Sequence, residues 1–263
     1  MKRMLKWMAA LLSICLGFGM IISRIEKRHG KVGWSNGRRP SGFYEENVKR
    51  PLDFGLCLFA LIVLAPLLFA VSIMVRIRLG SPVLFEQKRP GLGERIFTIR
   101  KFRSMELGEG SDEERLTNFG KILRSTSVDE LPELVNILGG SMSIVGPRPQ
   151  LIRDMVFMNE KHRSRYDVRP GLTGLAQVNG RNGISWEDKL DADLLYIEKI
   201  TFQGDLKIVI RTIMKVLARD GINEQGQATA LDYGDWLLEN GRVSREEYLN
   251  TQAKARKIAD NNS

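Results

Sequence analysis

Residues that form disulfides or bind transition metals are scarce in this chain of 263 residues, which contains two cysteines and two histidines. Cys15 and Cys57 both lie in apolar segments, and His29 and His162 are far from each other in the sequence. This usage provides neither a disulfide framework nor the ligand spacing of a zinc site. It is compatible with a reducing compartment.

The sequence also lacks the common nucleotide- and nucleic-acid-binding motifs. It has no Walker A or Rossmann glycine fingerprint, no aromatic-basic RNA motif and no helix-turn-helix pattern. The chain is nevertheless basic, with 40 Lys and Arg against 31 Asp and Glu and a formal net charge of +9. Such an excess favours anionic partners, although the positive-inside rule alone explains it for a membrane protein. We expect phospholipid headgroups and a nucleotide as partners, and no nucleic acid.

A first apolar segment covers residues 7–22, behind the basic start Met1-Lys2-Arg3. This order is typical of a secretory signal, but charged residues follow it instead of a small-x-small cleavage site. The segment is also shorter than the roughly 20 residues that span a bilayer. We predict a retained anchor or an interfacial helix over residues 1–23, and a basic linker over residues 24–47.

A second apolar segment covers residues 52–75 and is long enough to cross a bilayer. Basic residues flank both ends, which favours keeping both ends on the cytoplasmic side. Pro66, near the middle, has no amide donor and frees a carbonyl of the preceding turn. Two structures remain open: a helix that enters, turns at Pro66 and returns to the same face, and an ordinary kinked transmembrane helix.

One carboxylate lies at the start of this segment. Asp53 is costly in lipid unless it is paired. Arg50 lies three residues earlier, on the same face of a helix, and is the partner that we expect.

The rest of the chain alternates between strand and helix patterns. Strands are predicted over residues 81–87 and 95–100, joined by a turn at residues 90–93. Helical periodicity predicts five further elements, over residues 113–123, 131–138, 151–166, 186–199 and 206–218.

The last of these helices combines an apolar face with a basic stripe. The stripe repeats every four residues: Lys207, Arg211, Lys215 and Arg219. This pattern is how a helix lies on an anionic membrane. A helix packed in the core with a solvated basic face is the alternative.

The polar tail over residues 223–263 reads as two short helices separated by Gly241. Ser244 and Glu247 form a capping-box pattern at the start of the second helix. We interpret the tail as an accessory element that could mediate self-association, which makes a homodimer possible.

Two adjacent carboxylates, Asp129 and Glu130, lie where a helix should begin. Ser127-x-x-Glu130 fits a capping box with Ser127 as N-cap, and Pro132 is tolerated near a helix start. A helix N-terminus favours the anionic form of Asp129, which a carboxylate nucleophile or a Mg²⁺ ligand needs. Acidic residues in a first turn are also ordinary helix design, so the pair alone decides nothing.

The cations around the pair add weight to a functional interpretation. They are Lys121, Arg124, Arg148, Arg169 and Arg181. Arginine suits bidentate contacts to phosphate, and the prolines on both sides of Arg148 fix its backbone before binding. The combination indicates chemistry on a phosphorylated substrate at a membrane surface.

Ordered sequence blocks from residue 48 to residue 221 then make a family recognisable. They are Lys49-Arg50-x-x-Asp53; Pro82-Val83-Leu84-Phe85-x-Gln87-x-Arg89-x-Gly91-x-x-Gly93; Lys101-Phe102-Arg103-Ser104-Met105; Leu123-Arg124; Ser127-Val128-Asp129-Glu130-Leu131-Pro132-Glu133-Leu134; Ser141-Met142-Ser143-Ile144-Val145-Gly146-Pro147-Arg148-Pro149; Arg169-Pro170-Gly171-Leu172-Thr173-Gly174; and Gln177-Val178-Asn179-Gly180-Arg181-Asn182. In these blocks the chain resembles the bacterial sugar transferases, the small monotopic phosphoglycosyl transferases that initiate glycan assembly on a polyprenyl phosphate.

The resemblance implies an α+β, mainly helical fold. A proline-broken re-entrant helix over residues 48–79 would anchor a monotopic membrane protein. Interfacial amphipathic helices and a small cytoplasmic catalytic core over residues 80–222 would follow. It also implies the bacterial inner, or plasma, membrane as location, with the catalytic domain on the cytoplasmic face.

The resemblance further implies a covalent mechanism. Asp129 would attack the β-phosphorus of a UDP-sugar and expel UMP, and polyprenyl phosphate, of the undecaprenyl type, would then take the phosphosugar. Glu130 would help to hold Mg²⁺, and Arg148 would bind phosphate or nucleotide. The further candidates for substrate or phosphate binding are Arg103, Arg124, Arg169 and Arg181.

Two other functions remain open. A membrane-bound scaffold of a glycan pathway would bind lipid without turnover, although the intact Asp129–Glu130 pair argues against it. A membrane-attached glycosyltransferase would release UDP instead of UMP. The motifs do not encode which sugar is transferred.

Pro66→Leu is expected to favour a straight span and to move Lys49 to the opposite face of the membrane from Arg76, because it restores the missing backbone donor. Labelling of cysteines introduced at both ends measures this. Unchanged labelling from the same side would contradict the role assigned to Pro66.

Overall fold

The computed structural model describes residues 10, 12–17, 19–21, 41–180, 185–218 and 231–261, and combines helices with two small sheets. The predicted linker over residues 24–47 lies outside the described residues up to residue 40. The α-helices are α1 (Lys49–Leu79), α2 (Asp112–Arg115), α3 (Asn118–Ser125), α4 (Glu133–Leu138), α5 (Ile152–Met155), α6 (Glu160–Arg163), α7 (Leu175–Asn179), α8 (Trp186–Glu198), α9 (Phe202–Ala218), α10 (Tyr233–Glu239) and α11 (Arg245–Asp260). The strands are β1 (Leu84–Pro90), β2 (Ile96–Phe102), β3 (Ser143–Val145) and β4 (Gly171–Thr173).

Helix α1 is the longest element, with 31 residues, and it continues a π-helical turn at Tyr44–Val48. By length and composition it could cross a membrane. Pro66 lies inside α1 without ending it, and the helix stops at Gly80, which has a φ of 80° that favours glycine. Helix α1 is therefore continuous through Pro66, and the predicted break at this residue is not present in its backbone.

Both halves of α1 pack against the same folded body. In the first half, Cys57 contacts the cluster around Ile137 and Met142. In the second half, Val71 and Val75 contact Phe102 and Leu123. Because these contacts recur at helical spacing, one stripe of α1 is buried along its length.

The opposite face of α1 is apolar and exposed. Ile62, Phe69 and Ile77 expose 47%, 69% and 74% of their surface. The helix thus has a long exposed apolar face opposite its buried stripe. This arrangement is typical of a helix that contacts a membrane.

The N-terminal end of α1 is tied to the body by polar contacts. The Asp53 carboxylate accepts hydrogen bonds from Ser143 Oγ at 2.6 Å and Ile144 N at 3.3 Å. Arg50 donates to the carbonyl oxygens of Ile137 at 2.7 Å and Leu138 at 3.0 Å. The expected pairing of Asp53 with Arg50 is thus replaced by contacts of each side chain with the body, because the end of α4 presents its carbonyl oxygens to the Arg50 guanidinium.

A short apolar helix at Leu12–Ile21 lies against the same end of α1. A Cβ added at Gly19 would lie 2.4 Å from the carbonyl oxygen of Pro51, and one at Gly55 would lie 2.7 Å from Leu16 Cδ2. Small residues allow such close approach between helices in membranes. Within the predicted segment over residues 1–23, the structure thus has a helix at Leu12–Ile21; whether it anchors the chain or lies at the interface stays a prediction.

The predicted β-hairpin is confirmed. Strands β1 and β2 pair antiparallel, with Gln87 opposite Ile99. A second sheet, which the sequence did not indicate, pairs β3 with β4 in parallel. Gly146 follows β3, and a Cβ there would lie 2.5 Å from the carbonyl oxygen of Arg169. Only glycine permits this approach, and it fixes where the next three residues, Pro147-Arg148-Pro149, leave the sheet.

Two of the predicted helices are divided in the structure. The segment over residues 113–123 breaks before α3, where Thr117 Oγ1 accepts from Gly120 N at 3.0 Å. The single helix over residues 151–166 is wrong: it becomes α5, α6 and a 3₁₀ turn at Ser164–Asp167. Here Asn159 Oδ1 accepts from His162 N at 2.8 Å and starts a new helix. The helices predicted over residues 186–199 and 206–218 are confirmed, the second starting earlier at Phe202.

The apolar stripe of α9 faces outward. Its exposed members are Phe202, Leu206, Ile210, Ile213, Met214 and Leu217, with exposed fractions of 45% to 79%. Val209, which the periodicity places on this face, packs with Ile208 against the core instead. For the exposed members the core-packed alternative is wrong, and an interfacial location fits them.

The tail packs against the body through α10 and α11. Tyr233 is 6% exposed, and its ring lies 5.3 Å from that of Trp186. The backbone amide of Tyr233 donates to Asp154 Oδ1 at 2.9 Å, and Ser244 caps α11 as predicted. Tyr233 is buried against Trp186 and does not face a second copy of the chain. Self-association through other residues of the tail stays a prediction.

Tyr233→Ala is expected to destabilise the protein by about 3–5 kcal/mol, because it leaves a cavity between the tail and α8. Leu249 lies on α11 and is 59% exposed. Leu249→Ala is therefore the control and should change the stability little. Thermal unfolding of the detergent-solubilised protein measures both. Equal melting temperatures for the two variants would show that the tail is not docked in this way.

Candidate active site

The two adjacent carboxylates lie in a 3₁₀ turn at Val128–Glu130, before helix α4. Ser127 has a left-handed conformation with φ 55° and makes no side-chain cap. The predicted capping box is therefore wrong: the chain turns sharply at Ser127, and the Glu130 side chain points to cations instead of back to the backbone. The same turn buries Asp129 to 8% exposure.

A lysine from the hairpin joins the carboxylates. Lys101 Nζ lies 2.6 Å from Glu130 Oε1 and 3.1 Å from Glu133 Oε1. On the opposite side, Arg148 Nη2 lies 3.1 Å from the same Glu130 oxygen. We call this group, with Asp129, the carboxylate cluster. Lys101 and Glu133 were not among the predicted site residues, since only the position of β2 beside α4 brings Lys101 to them.

The three carboxylates of the cluster differ in electrostatics. Burial opposes ionisation of Glu130, but Lys101 and Arg148 outweigh it and hold the pKa of Glu130 well below its usual range. Burial and the charge of Glu130 raise the pKa of Glu133 to about 7, although Lys101 and Arg148 oppose this. The cluster therefore holds one firmly ionised carboxylate and one that binds a proton near neutral pH.

Asp129 behaves differently from the prediction. Burial, followed by the charge of Glu130, raises its pKa to about 6, although Lys101, Arg124 and Arg148 oppose this. The expectation that a helix N-terminus favours its anion is outweighed by burial. Among the described residues, no hydrogen bond or ion pair holds the Asp129 carboxylate. At neutral pH it is an anion whose oxygens remain available to a ligand.

Two of the predicted arginines lie close enough to act on Asp129. Arg124 and Arg148 both lower its pKa through their charge. Arg124 Nε also donates to Ser104 Oγ at 3.0 Å, which orients it at the end of α3. Arg148 exposes 43% of its side chain. These two cations are the ones placed to meet a phosphate beside Asp129.

The other predicted arginines lie elsewhere. Arg103 donates to the carbonyl oxygens of Leu79 and Ser81 at the end of α1, which suits a structural cap. Arg169 Nε donates to Gly140 O at 2.8 Å and lines a cavity of about 320 Å³ beside Asp53. Arg181 lies outside the described residues.

The side chains near Asp129 fit a Mg²⁺ ion only if the substrate supplies further ligands. Among the described residues, no three His, Cys, Asp or Glu side chains converge as a metal cage. Two carboxylates, Asp129 and Glu130, are adjacent, and Mg²⁺ is commonly held by one or two carboxylates together with substrate phosphates and water. The residues therefore fit a Mg²⁺ ion that binds together with a diphosphate.

Comparison with known proteins identifies the family. The family model described as "Bacterial sugar transferase" matches residues 44–219, which include α1, both sheets and the carboxylate cluster. The chain belongs to the bacterial sugar transferase family. The tail helices α10 and α11 lie beyond the matched region.

The relatives include short and long proteins. An uncharacterized sugar transferase, EpsL, of Bacillus subtilis is 43% identical over 189 residues, 70% of this chain and 94% of the relative. A UDP-glucose:undecaprenyl-phosphate glucose-1-phosphate transferase of Caulobacter vibrioides is 39% identical over 65% of this chain and 70% of its own length. The Escherichia coli protein of the same name is 34% identical over 75% of this chain but 46% of its own length.

Asp129→Asn is expected to stabilise the fold at pH 8. A pKa raised from 3.8 to about 6 means that the folded state disfavours the ionised form, which costs about 2–3 kcal/mol once the carboxylate is ionised in both states. The gain should be complete above about pH 6 and fade as the pH falls towards 3.8. Melting temperatures across this range measure it.

Asp191→Asn is the matched control for this prediction. Asp191 is exposed and pairs with Lys161 at 3.2 Å, so its replacement should have little effect at any pH. A gain for Asp129→Asn that is absent at pH 8, or equally large at pH 4, would contradict the electrostatics derived for this site.

Proposed function

We propose that the protein transfers a phosphosugar from a UDP-sugar to polyprenyl phosphate, of the undecaprenyl type, and releases UMP. This would be the first membrane step in the assembly of a surface glycan. The observation that carries the proposal is the buried Asp129 carboxylate, which no described residue pairs with and which Arg124 and Arg148 flank in a sugar transferase fold. The names of the Caulobacter and Escherichia relatives support the substrate classes.

In the first step, a carboxylate oxygen of Asp129 attacks the phosphorus that bears the sugar. The bond between this phosphorus and the oxygen bridging to the α-phosphate breaks, and UMP leaves with the electron pair. An aspartyl phosphosugar remains on the enzyme. No proton has to be transferred, since the nucleophile is ionised at neutral pH and UMP leaves as an anion.

In the second step, a phosphate oxygen of polyprenyl phosphate attacks the same phosphorus and displaces the Asp129 carboxylate. The product is a polyprenyl diphosphate sugar, and Asp129 is regenerated. Arg124 and Arg148 would hold the phosphate oxygens on both steps through charge-assisted hydrogen bonds.

Lys101 and Glu130 would prepare the site for this chemistry. Lys101 and Arg148 keep Glu130 ionised, so that Glu130, with Asp129, is able to hold Mg²⁺ as the diphosphate binds. Bound Mg²⁺ supplies neutralisation of the charge that develops on the leaving phosphate. Arg103 would support the site indirectly, through its hydrogen bonds to the carbonyl oxygens at the end of α1. Arg169 would do so through its hydrogen bond to the carbonyl oxygen of Gly140.

We further propose a monotopic topology at the inner membrane, with the catalytic residues on the cytoplasmic face. Both halves of α1 contact one folded body, and a helix with this packing cannot easily put its ends on opposite sides of a bilayer. The exposed apolar faces of α1 and α9 would lie in one leaflet. Pro66 would allow α1 to bend within that leaflet.

The decisive experiment is intact-mass analysis of the purified protein with Mg²⁺ and a panel of UDP-sugars, UDP-glucose first, without polyprenyl phosphate. We expect a phosphosugar adduct and one UMP per active site, both absent from Asp129→Asn. Adding polyprenyl phosphate should remove the adduct and restore turnover.

Asp191→Asn is the control variant here as well and should form the adduct normally. Release of UDP would instead indicate an ordinary glycosyltransferase. Lipid binding with neither adduct nor nucleotide release for any donor would indicate a scaffold.

A further inference from the structure

We infer that the buried ion pair between Arg165 and Asp193 is a positioning device for Arg148. This inference rests on the proposed function, in which Arg148 holds substrate phosphate. It concerns residues outside the carboxylate cluster that do not touch substrate themselves. They would act by fixing the backbone from which Arg148 extends.

Arg165 is one of the most deeply buried side chains in the described part of the protein. It is 2% exposed and lies in the 3₁₀ turn at Ser164–Asp167. Its Nη2 donates to the carbonyl oxygen of Arg148 at 2.7 Å and to Asp193 Oδ2 at 2.6 Å. Its Nε donates to the same Asp193 oxygen at 3.0 Å. One guanidinium thus joins α8 to the backbone of the predicted phosphate-binding residue.

A second arginine secures the next residue of the same segment. Arg89 Nη1, from β1, donates to the carbonyl oxygen of Pro149 at 3.1 Å. On the other side, Gly146 is locked into the sheet, with its amide donating to Thr173 O at 2.9 Å. The Pro147-Arg148-Pro149 segment is therefore held from the sheet, from β1 and from Arg165.

Arg148 needs this support because its own side chain is long and partly exposed. Its Nη2 reaches Glu130 at 3.1 Å, and a side chain of this length loses much rotamer freedom when it is held in one place. Fixing the backbone shortens the part of the chain that must be ordered on binding. A shift of the carbonyl at Arg148 would move the guanidinium away from both Glu130 and the phosphate.

Stability alone is a weak reason for the ion pair. Buried ion pairs are often replaceable by apolar side chains of similar volume without loss of stability, because their desolvation offsets their attraction. Asp193 is 2% exposed, and its Oδ1 has no hydrogen-bond partner among the described residues. The pair therefore contains an acceptor without a described partner, Asp193 Oδ1. At the same time Arg165 Nη2 also donates to the Arg148 carbonyl oxygen.

The test combines an apolar replacement of the pair with a double-mutant cycle. Arg165→Met with Asp193→Leu removes both charges together, so no buried charge is left alone. We expect a melting temperature near that of the native protein and adduct formation slower by on the order of 100-fold, as for a misplaced binding group. A normal rate in this folded variant would overturn the inference.

The cycle asks whether the pair acts through Arg148. In an Arg148→Ala background, the double replacement should cause little further loss, because the group that it positions is already gone. If the double replacement lowers the rate of adduct formation by the same factor with and without Arg148, the pair acts independently of Arg148 and the inference is overturned. Arg163→Met, which breaks the nearby exposed contact of Arg163 with Glu94 at 2.6 Å, is the matched control and should leave the rate unchanged.

Arg165→Lys keeps the inference testable if the double variant does not fold. Lysine still neutralises Asp193 but lacks the planar fork that reaches two acceptors. A purely structural charge would be replaced well, with normal rate and melting temperature. A positioning role predicts a normal melting temperature with a rate reduced in the same direction as the double variant.

Amide hydrogen exchange separates this inference from the proposed function. Exchange in the peptide over residues 145–151 should be faster in the replaced-pair variants and unchanged in Asp129→Asn. This readout needs no turnover. If the native protein forms no adduct but exchange rises as expected, the proposed function fails and the positioning role stands; if exchange does not change, the positioning role fails whatever the activity.

Discussion

The packing of one stripe of α1 against the body sets the positions of the elements around the carboxylate cluster. Cys57 in its first half contacts the region of α4, and Val75 in its second half contacts the region of β2 and α3. Lys101 lies on β2, and Asp129 lies in the 3₁₀ turn between α3 and α4. This long apolar helix therefore forms one wall of the fold, and its exposed face fits contact with a membrane.

The site shows how a fold can keep reactive charge in a buried place. Three carboxylates, two of them adjacent in sequence, lie around Lys101 and Arg148. Burial, together with the charge of Glu130, raises the pKa values of Glu133 and Asp129, so both ionise less readily. This arrangement leaves Asp129 without a partner among the residues that the structure describes, which is unfavourable for stability and favourable for a nucleophile. Sites that combine these two properties are common where chemistry occurs.

Sequence patterns predicted the elements with strong local signals. The hairpin, α8 and α9 follow from alternation and helical periodicity, because apolar residues recur at regular spacing in each segment. The patterns failed where the chain turns on local side-chain bonds. Asn159 starts a new helix inside an apparently continuous pattern, and β3 and β4 have three residues each, too few for any periodicity to appear.

The family, the long apolar helix and the carboxylate pair can be read from the sequence, because these depend on the order and identity of residues that lie together in the chain. The three-dimensional fold sets which cations meet the pair. Lys101 is 28 residues from Asp129 in sequence, and Arg165 reaches Arg148 only through the fold. It also decided that burial outweighs the helix N-terminus at Asp129. Desolvation and long-range charge depend on what surrounds a group in space, and no local pattern contains that information.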